Sequence, residues 1–139
     1  MREEQNVNLI KSAFQAFGRG DIEAILGHCT TDCEFYCPGP PTIPYSGRRK
    51  GPAEIEEYFK LLLETQSNPN LEVEEFVAQG DTVVAIGTYG ATIKTTGSSM
   101  RSPVVLTFHI RDGKIAKHMV IGDTSALSDS YLGVAAAGR

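Results

Sequence analysis

Partway along the chain, the spacing of apolar residues changes period, and this change most constrains the fold. Val7, Ile10, Phe14 and Phe17 recur at intervals of three and four, which marks one face of a helix. Glu4, Asn8, Lys11 and Gln15 form its polar face. The run GRGD at 18–21 ends that helix, because glycine releases the helical backbone. Asp21 then caps a short second helix holding Ile22, Ile25 and Leu26. CEFYC (33–37) reads as a strand closed by PGPP. Pro52 fits the first turn of a third helix, where its missing N–H costs nothing. Ile55, Tyr58, Phe59 and Leu62 are the buried stripe of that helix. From residue 71 onward the period is two. Strand-like runs cover 71–78, 82–94, 102–111 and 114–122, with GD (80–81) and DG (112–113) as hairpin turns. KTTGSSMRS (94–102) reads as a longer, mobile connection, 125–133 as a last helical turn, and 134–139 as a flexible tail behind a single domain at 1–133. Helices followed by consecutive strands give an α+β domain whose antiparallel sheet curls over the helices.

A chain of 139 residues suits one core. Its formal net charge is -4, and no basic stripe or polybasic run points to nucleic acid or a membrane surface. The apolar runs, such as VVAIG (83–87), are too short to span a bilayer. The charged, helix-patterned N-terminus does not read as a signal peptide. The expectation is a cytoplasmic, reducing location, where three cysteines do not make a disulfide framework.

All three cysteines, Cys29, Cys33 and Cys37, fall four residues apart behind His28. In one continuous helix they would line up. Here Cys29 is expected to end the second helix, Cys33 to begin a strand and Cys37 to end it before Pro38. Structural zinc ligands come as close pairs with a second pair elsewhere, and the chain has no second pair. The expectation is no metal, with buried cysteines acting as small hydrophobes.

FQAFGRGDIEAIL (14–26), DCEFYCPGPP (32–41), GPAEIEEYF (51–59) and DGKIAKHMVIGDTSAL (112–127) occur in the order and spacing of one superfamily. The chain resembles the nuclear transport factor 2-like, cystatin-like fold, and within it the SnoaL-like polyketide cyclase and ketosteroid isomerase-like group. The resemblance implies a cone: three helices packed on a strongly curved, mostly antiparallel sheet around an apolar pocket. It also implies homodimers paired through the outer sheet face, here carrying Val105, Thr107 and His109. The fold hosts isomerases, cyclases, epoxide hydrolases, dehydratases and proteins with no known chemistry, so it does not give function.

Ketosteroid isomerases have an aspartate base where this chain has Cys37, and an oxyanion-hole tyrosine and aspartate where it has Ala13 and about Leu106. Steroid isomerisation by that mechanism is rejected, because it needs both the base and the enolate stabiliser. SnoaL-like cyclases carry a histidine and an aspartate on the last strand. His118 is kept here, but Val120 replaces the aspartate and the nearest carboxylate is Asp123. The arginine–aspartate pair of this fold's epoxide hydrolases corresponds to Met119 and Val120.

What remains is an apolar pocket with few polar points, the usual form of a small-molecule site. The candidate catalytic residues are His118 and Asp123; the candidate ligand-binding residues are Phe35, Cys37, Tyr45, Tyr58, Phe59, Leu62, Leu106, Phe108 and Val120. No cofactor is expected. Each polar point also has a plain structural reading: His118 as a hydrogen-bonded strand residue, Asp123 as a helix cap, Tyr58 as core with its hydroxyl at the rim. Arg48, Arg49 and Lys50 read as solvated surface. A reactive Cys37 thiolate would need a cationic neighbour such as His118.

Two functions fit. One is a cofactor-free isomerase, cyclase or dehydratase acting on an apolar carbonyl compound, with Tyr45 or Tyr58 orienting it. The other is a binding protein without turnover. The state of Asp123 separates them: facing the cavity it favours an enzyme, capping the last helix it favours binding. The register of the final hairpin decides whether His118 belongs to the site. The expected register has a three-residue loop with a bulge at Gly113, pairing Leu106 with His118, Phe108 with Ala116 and Val104 with Val120.

Overall fold

The computed structural model describes residues 2–134; residues 135–139 of the expected tail lie outside the described residues. Helix α1 (Arg2–Gly18) buries Ile10, Ala13 and Ala16, and α2 (Ile22–Gly27) follows it. The Asp21 side chain caps α2 by accepting from the Ala24 N–H at 3.1 Å. Helix α3 (Pro52–Thr65) begins on its proline and buries Ile55, Tyr58, Phe59 and Leu62, the stripe expected from the sequence. A fourth helix, α4 (Thr124–Leu132), stands where a single turn was expected.

Six strands make one curved, unclosed sheet: β1 (Cys29–Cys37), β2 (Gly47–Lys50), β3 (Gln66–Gln79), β4 (Thr82–Ile93), β5 (Ser99–Arg111) and β6 (Lys114–Gly122). Their order is β2-β1-β6-β5-β4-β3. Every joint is antiparallel except β1–β6, which is parallel. The α+β cone implied by the resemblance is the fold of the chain.

Four boundaries differ from the sequence reading. Cys29 opens β1 instead of ending α2; the four residues from Thr30 to Cys33 stand against Ala116 alone, so the ladder resumes only at Glu34. Strand β2 was missed, since four residues rich in charge show no apolar alternation. Strand β3 starts five residues early, at Gln66, and carries a bulge around Asn68, whose φ is 53°. Asn and Pro there mark a bulge inside a strand rather than a loop. The connection between β4 and β5 is short, because β5 begins at Ser99.

Bulges bend and twist a strand, and this sheet owes its curvature to several. One in β3 sets Val73 against Gly87 and then Glu75 against Ile86. Gly87 allows that close approach: a Cβ there would stand 2.0 Å from the Glu72 carbonyl oxygen. The final hairpin holds another. The turn is the two-residue one, with φ 52° at Asp112 and 75° at Gly113, so Arg111 faces Lys114. The three-residue loop is therefore wrong. The slip comes two residues later: Ile110 pairs with Ile115 and His109 with Lys117, leaving Ala116 as the extra residue. Phe108 faces His118, Leu106 faces Val120 and Val104 faces Gly122. Positive φ at Gly113 and an inward His118 stand; the pairs expected for Leu106, Phe108 and Val104 do not. Among the described residues no helix is long and apolar enough to cross a membrane.

Because the Gly87 contact is with backbone, which cannot step aside, Gly87→Ala is expected to lower unfolding free energy by about 1–3 kcal/mol. Urea unfolding checks this; a variant as stable as the parent would show that β3 and β4 separate there without cost.

Candidate functional site

The sheet's inner face and the helices enclose a cavity of about 130 Å³. An apolar cavity of about 150 Å³ takes up benzene, so the scale is that of a small ring compound. All of the candidate site residues line it. Phe35 and Cys37 reach it from β1, Tyr58, Phe59 and Leu62 from α3, and Tyr45 from the β1–β2 connection. Leu106 and Phe108 come from β5, His118 and Val120 from β6, and Asp123 from its exposed rim. The sequence reading missed Phe14 and Phe17 on α1, and Tyr89, Met100, Ser102 and Leu127. Tyr89 was legible: alternation along β4 from the buried Val83 and Ala85 carries through Gly87 to it.

His118 is the polar centre of the inner wall. Its ring stacks on Phe108 at 4.4 Å and meets the edge of Phe35 at 4.8 Å. Its Nδ1 lies 3.1 Å from the Thr107 carbonyl oxygen. A carbonyl can only accept, so Nδ1 carries the proton and Nε2 a lone pair. No group among the described residues bonds Nε2. Burial disfavours the imidazolium and pulls the pKa down to about 4, against a smaller opposing pull from the Thr107 bond. At neutral pH His118 is an uncharged base.

Asp123 is not its partner. Its Oδ1 accepts from the Ala126 N–H at 2.9 Å and caps α4. This is the bonding that the sequence reading tied to a binding protein, while Asp123 still stands at the cavity rim. Cys37 is a thiol: burial pushes its pKa up to about 11, against a weaker pull from Arg49, and neutral His118 supplies no cation. Ala13 and Leu106, at the positions of the ketosteroid isomerases' oxyanion donors, line the cavity as apolar surface. Cys29 and Cys33 are buried; the Cys33 pKa is raised by its hydrogen bond with Cys29 and by burial. Among the described residues no group of three or more His, Cys, Asp or Glu side chains could hold a metal ion.

Arg49 corrects the expectation of solvated surface. Its side chain is only 11% exposed, donates to the Tyr45 carbonyl at 2.7 Å and lies 3.8 Å from Glu57. Alternation on β2 sends Arg48 to the other face, over the Tyr36 ring at 3.9 Å. A second unforeseen feature is a polar cluster beside the cavity. Gln66, 2% exposed, donates through Nε2 to the hydroxyls of Tyr45 at 2.7 Å and Tyr131 at 3.2 Å, and accepts from Tyr89.

The family model for the SnoaL-like domain matches residues 10–118. The chain belongs to that family. Solved structures agree on the nuclear transport factor 2-like fold. A protein of this type from Burkholderia xenovorans LB400 is 28% identical, with a TM-score of 0.84 over 93% of this chain and 97% of that one. TerC, co-crystallised with polyporic acid, is 28% identical, with a TM-score of 0.83 over 92% and 98%. A protein of unknown function from Burkholderia pseudomallei K96243 is 20% identical, with a TM-score of 0.85 over 91% and 97%, a likeness of fold alone. No curated protein matches the sequence.

His118 also sets a pH dependence. Its folded pKa lies below its unfolded value, so between about pH 6.5 and 4 the unfolded chain binds a proton that the native state refuses. The stabilisation is full above pH 6.5 and falls by roughly 3 kcal/mol as the pH drops to 4. Urea unfolding across that range should show the decline. His118→Phe, packed between Phe35 and Phe108, should flatten it; an equal slope in the variant would assign the effect to other groups.

Proposed function

We propose that the chain binds a small, largely apolar organic molecule inside the cone, with His118 as the side chain placed to accept a proton or hydrogen bond from it. The carrying observation is the bare Nε2 of His118 in an otherwise aromatic and aliphatic cavity. With no partner among the described residues, Nε2 is not sealed in, so a ligand with a hydroxyl or an acidic C–H can reach it and supply the hydrogen it lacks. The related TerC, co-crystallised with polyporic acid, supports a small-molecule role for this fold.

A second reading adds turnover: a cofactor-free isomerase, cyclase or dehydratase working on an apolar carbonyl compound. Nε2 would take a proton from the carbon beside the carbonyl, the C–H electron pair moving to form an enolate, and return the proton elsewhere. The neutral base favours this reading. The engagement of Asp123 as a cap favours binding alone, because no second acid–base group stands ready. We propose further that a second copy of the chain covers the outer sheet face, where Val105, Thr107 and His109 stand beside Met119 and the 47%-exposed Ile121.

Three measurements bear on this. A one-ring hydrocarbon at ten times its dissociation constant should stabilise the fold by about 1.4 kcal/mol. Ala13→Phe should abolish that gain by filling the cavity; no stabilisation in the parent protein would refute the ligand reading. Deuterium exchange at the α-carbon of a bound ketone, lost in His118→Gln, would establish proton transfer, and its absence in the parent leaves binding alone. Light scattering at micromolar concentration should give a dimer mass.

A further inference from the structure

Counting the protons of the cluster beside the cavity leaves one without a destination. The Thr65 hydroxyl lies 2.6 Å from the Leu61 carbonyl oxygen, which can only accept, so Thr65 donates there. Tyr131, 2.7 Å from the same Thr65 oxygen, must therefore donate to Thr65. Having spent its proton, Tyr131 can only accept from Gln66. This fixes the orientation of the Gln66 amide: the NH₂ side faces Tyr131 and Tyr45, and the oxygen faces Tyr89. Tyr89 gives its proton to that oxygen. Both amide hydrogens and the protons of Thr65, Tyr131 and Tyr89 are then assigned. The Tyr45 hydroxyl accepts from Gln66, and its own proton has no acceptor among the described residues.

Tyr58 stands beside it, with ring centroids 5.4 Å apart. Tyr58 is 6% exposed, and its hydroxyl has no hydrogen bond among the described residues. That oxygen is not sealed in, since no fully enclosed side-chain oxygen lacks a partner among the described residues. Both tyrosines line the cavity. Burial is the leading cause that raises both phenols well above their usual pKa, so both remain donors at any ordinary pH.

We infer that Tyr45 and Tyr58 form a two-hydroxyl donor site for an uncharged acceptor oxygen of the ligand, and that the natural ligand is a small ring compound bearing a ketone or similar carbonyl. This rests on the ligand-binding reading above and specifies its chemistry. The cavity then has two unlike poles: tyrosine protons that need an acceptor, and the His118 lone pair that needs a donor or an acidic hydrogen. Gln66 does not line the cavity. It acts on Tyr45, occupying the lone pair that would otherwise receive a hydrogen bond and leaving the proton free for the ligand.

The test compares acetophenone with ethylbenzene, which share a ring and differ by the oxygen. Calorimetric titration should give acetophenone about tenfold tighter binding, the scale of one or two net hydrogen bonds. Tyr58→Phe and Tyr45→Phe should each remove most of that preference, read within each variant as the ratio of the two dissociation constants. The carbonyl stretch of acetophenone bound to the unsubstituted protein should fall below its frequency in hexane, a readout that does not depend on any variant folding. Equal affinity for the two probes, or an unshifted carbonyl band, would overturn the donor site and leave the ligand-binding reading standing. Binding of neither probe would overturn both.

Discussion

A strand shows alternate side chains to its two faces, so one extra residue exchanges the two sets. The site depends on this constraint at Ala116. With the two-residue turn at Asp112–Gly113 and no bulge, His118 would pair with Thr107 and lie on the outer face. The single unpaired residue moves it opposite Phe108, between two aromatic rings and inside the cavity. The same shift turns Val120 inward and Met119 outward. Cavity lining and outer face are thus set together by one backbone irregularity.

Once inside, His118 is governed by desolvation. The aromatic wall that holds the ring also makes its charged form costly, and the bond to Thr107 fixes which nitrogen is bare. The protein thereby keeps a neutral base at a pH where an exposed histidine would be partly protonated. The other ionisable groups near it are engaged or neutral: Asp123 caps α4 through Oδ1, Cys37 keeps its proton, and Arg49 donates to the Tyr45 carbonyl and lies beside the Glu57 carboxylate. The remaining polar resource of the cone is its tyrosine cluster.

Helices and long strands were legible because burial leaves a periodic trace. The stripe Ile55, Tyr58, Phe59, Leu62 could only be one helix face, and the alternation leading to Asp112–Gly113 marked β5 and β6 to within a few residues. Inward strand residues such as Phe35, Leu106 and Phe108 followed from the same alternation and the family resemblance. Backbone irregularities left no such trace. The bulge at Ala116 has no composition of its own. Asn68 and Pro69 sit within a strand, yet lie ahead of the alternation that begins at residue 71. Arg49 looked like its solvated neighbours, because two arginines in a row do not reveal which one a four-residue strand turns inward. Gln66 was missed because a lone polar residue at a helix–strand junction is ordinarily surface. Only three-dimensional packing brings Tyr45, Tyr89 and Tyr131 to it from distant parts of the chain.

The parallel joint between β1 and β6 has a consequence for how the molecule is made. Those strands lie at opposite ends of the sequence, 29–37 and 114–122, yet sit side by side near the middle of the sheet. The β3–β4–β5 meander can assemble from neighbouring segments, whereas β1 and β2 have no sheet to join until β6 has been synthesised. Contacts between such distant segments slow folding. A nascent chain released only as far as the β5 turn would hold one edge of β1 and one edge of β5 without their partner strand, the condition in which chains aggregate or meet chaperones. The strand that carries His118 is thus also the one that joins the two parts of the sheet, so the base enters the cavity in the step that brings β1 to the meander.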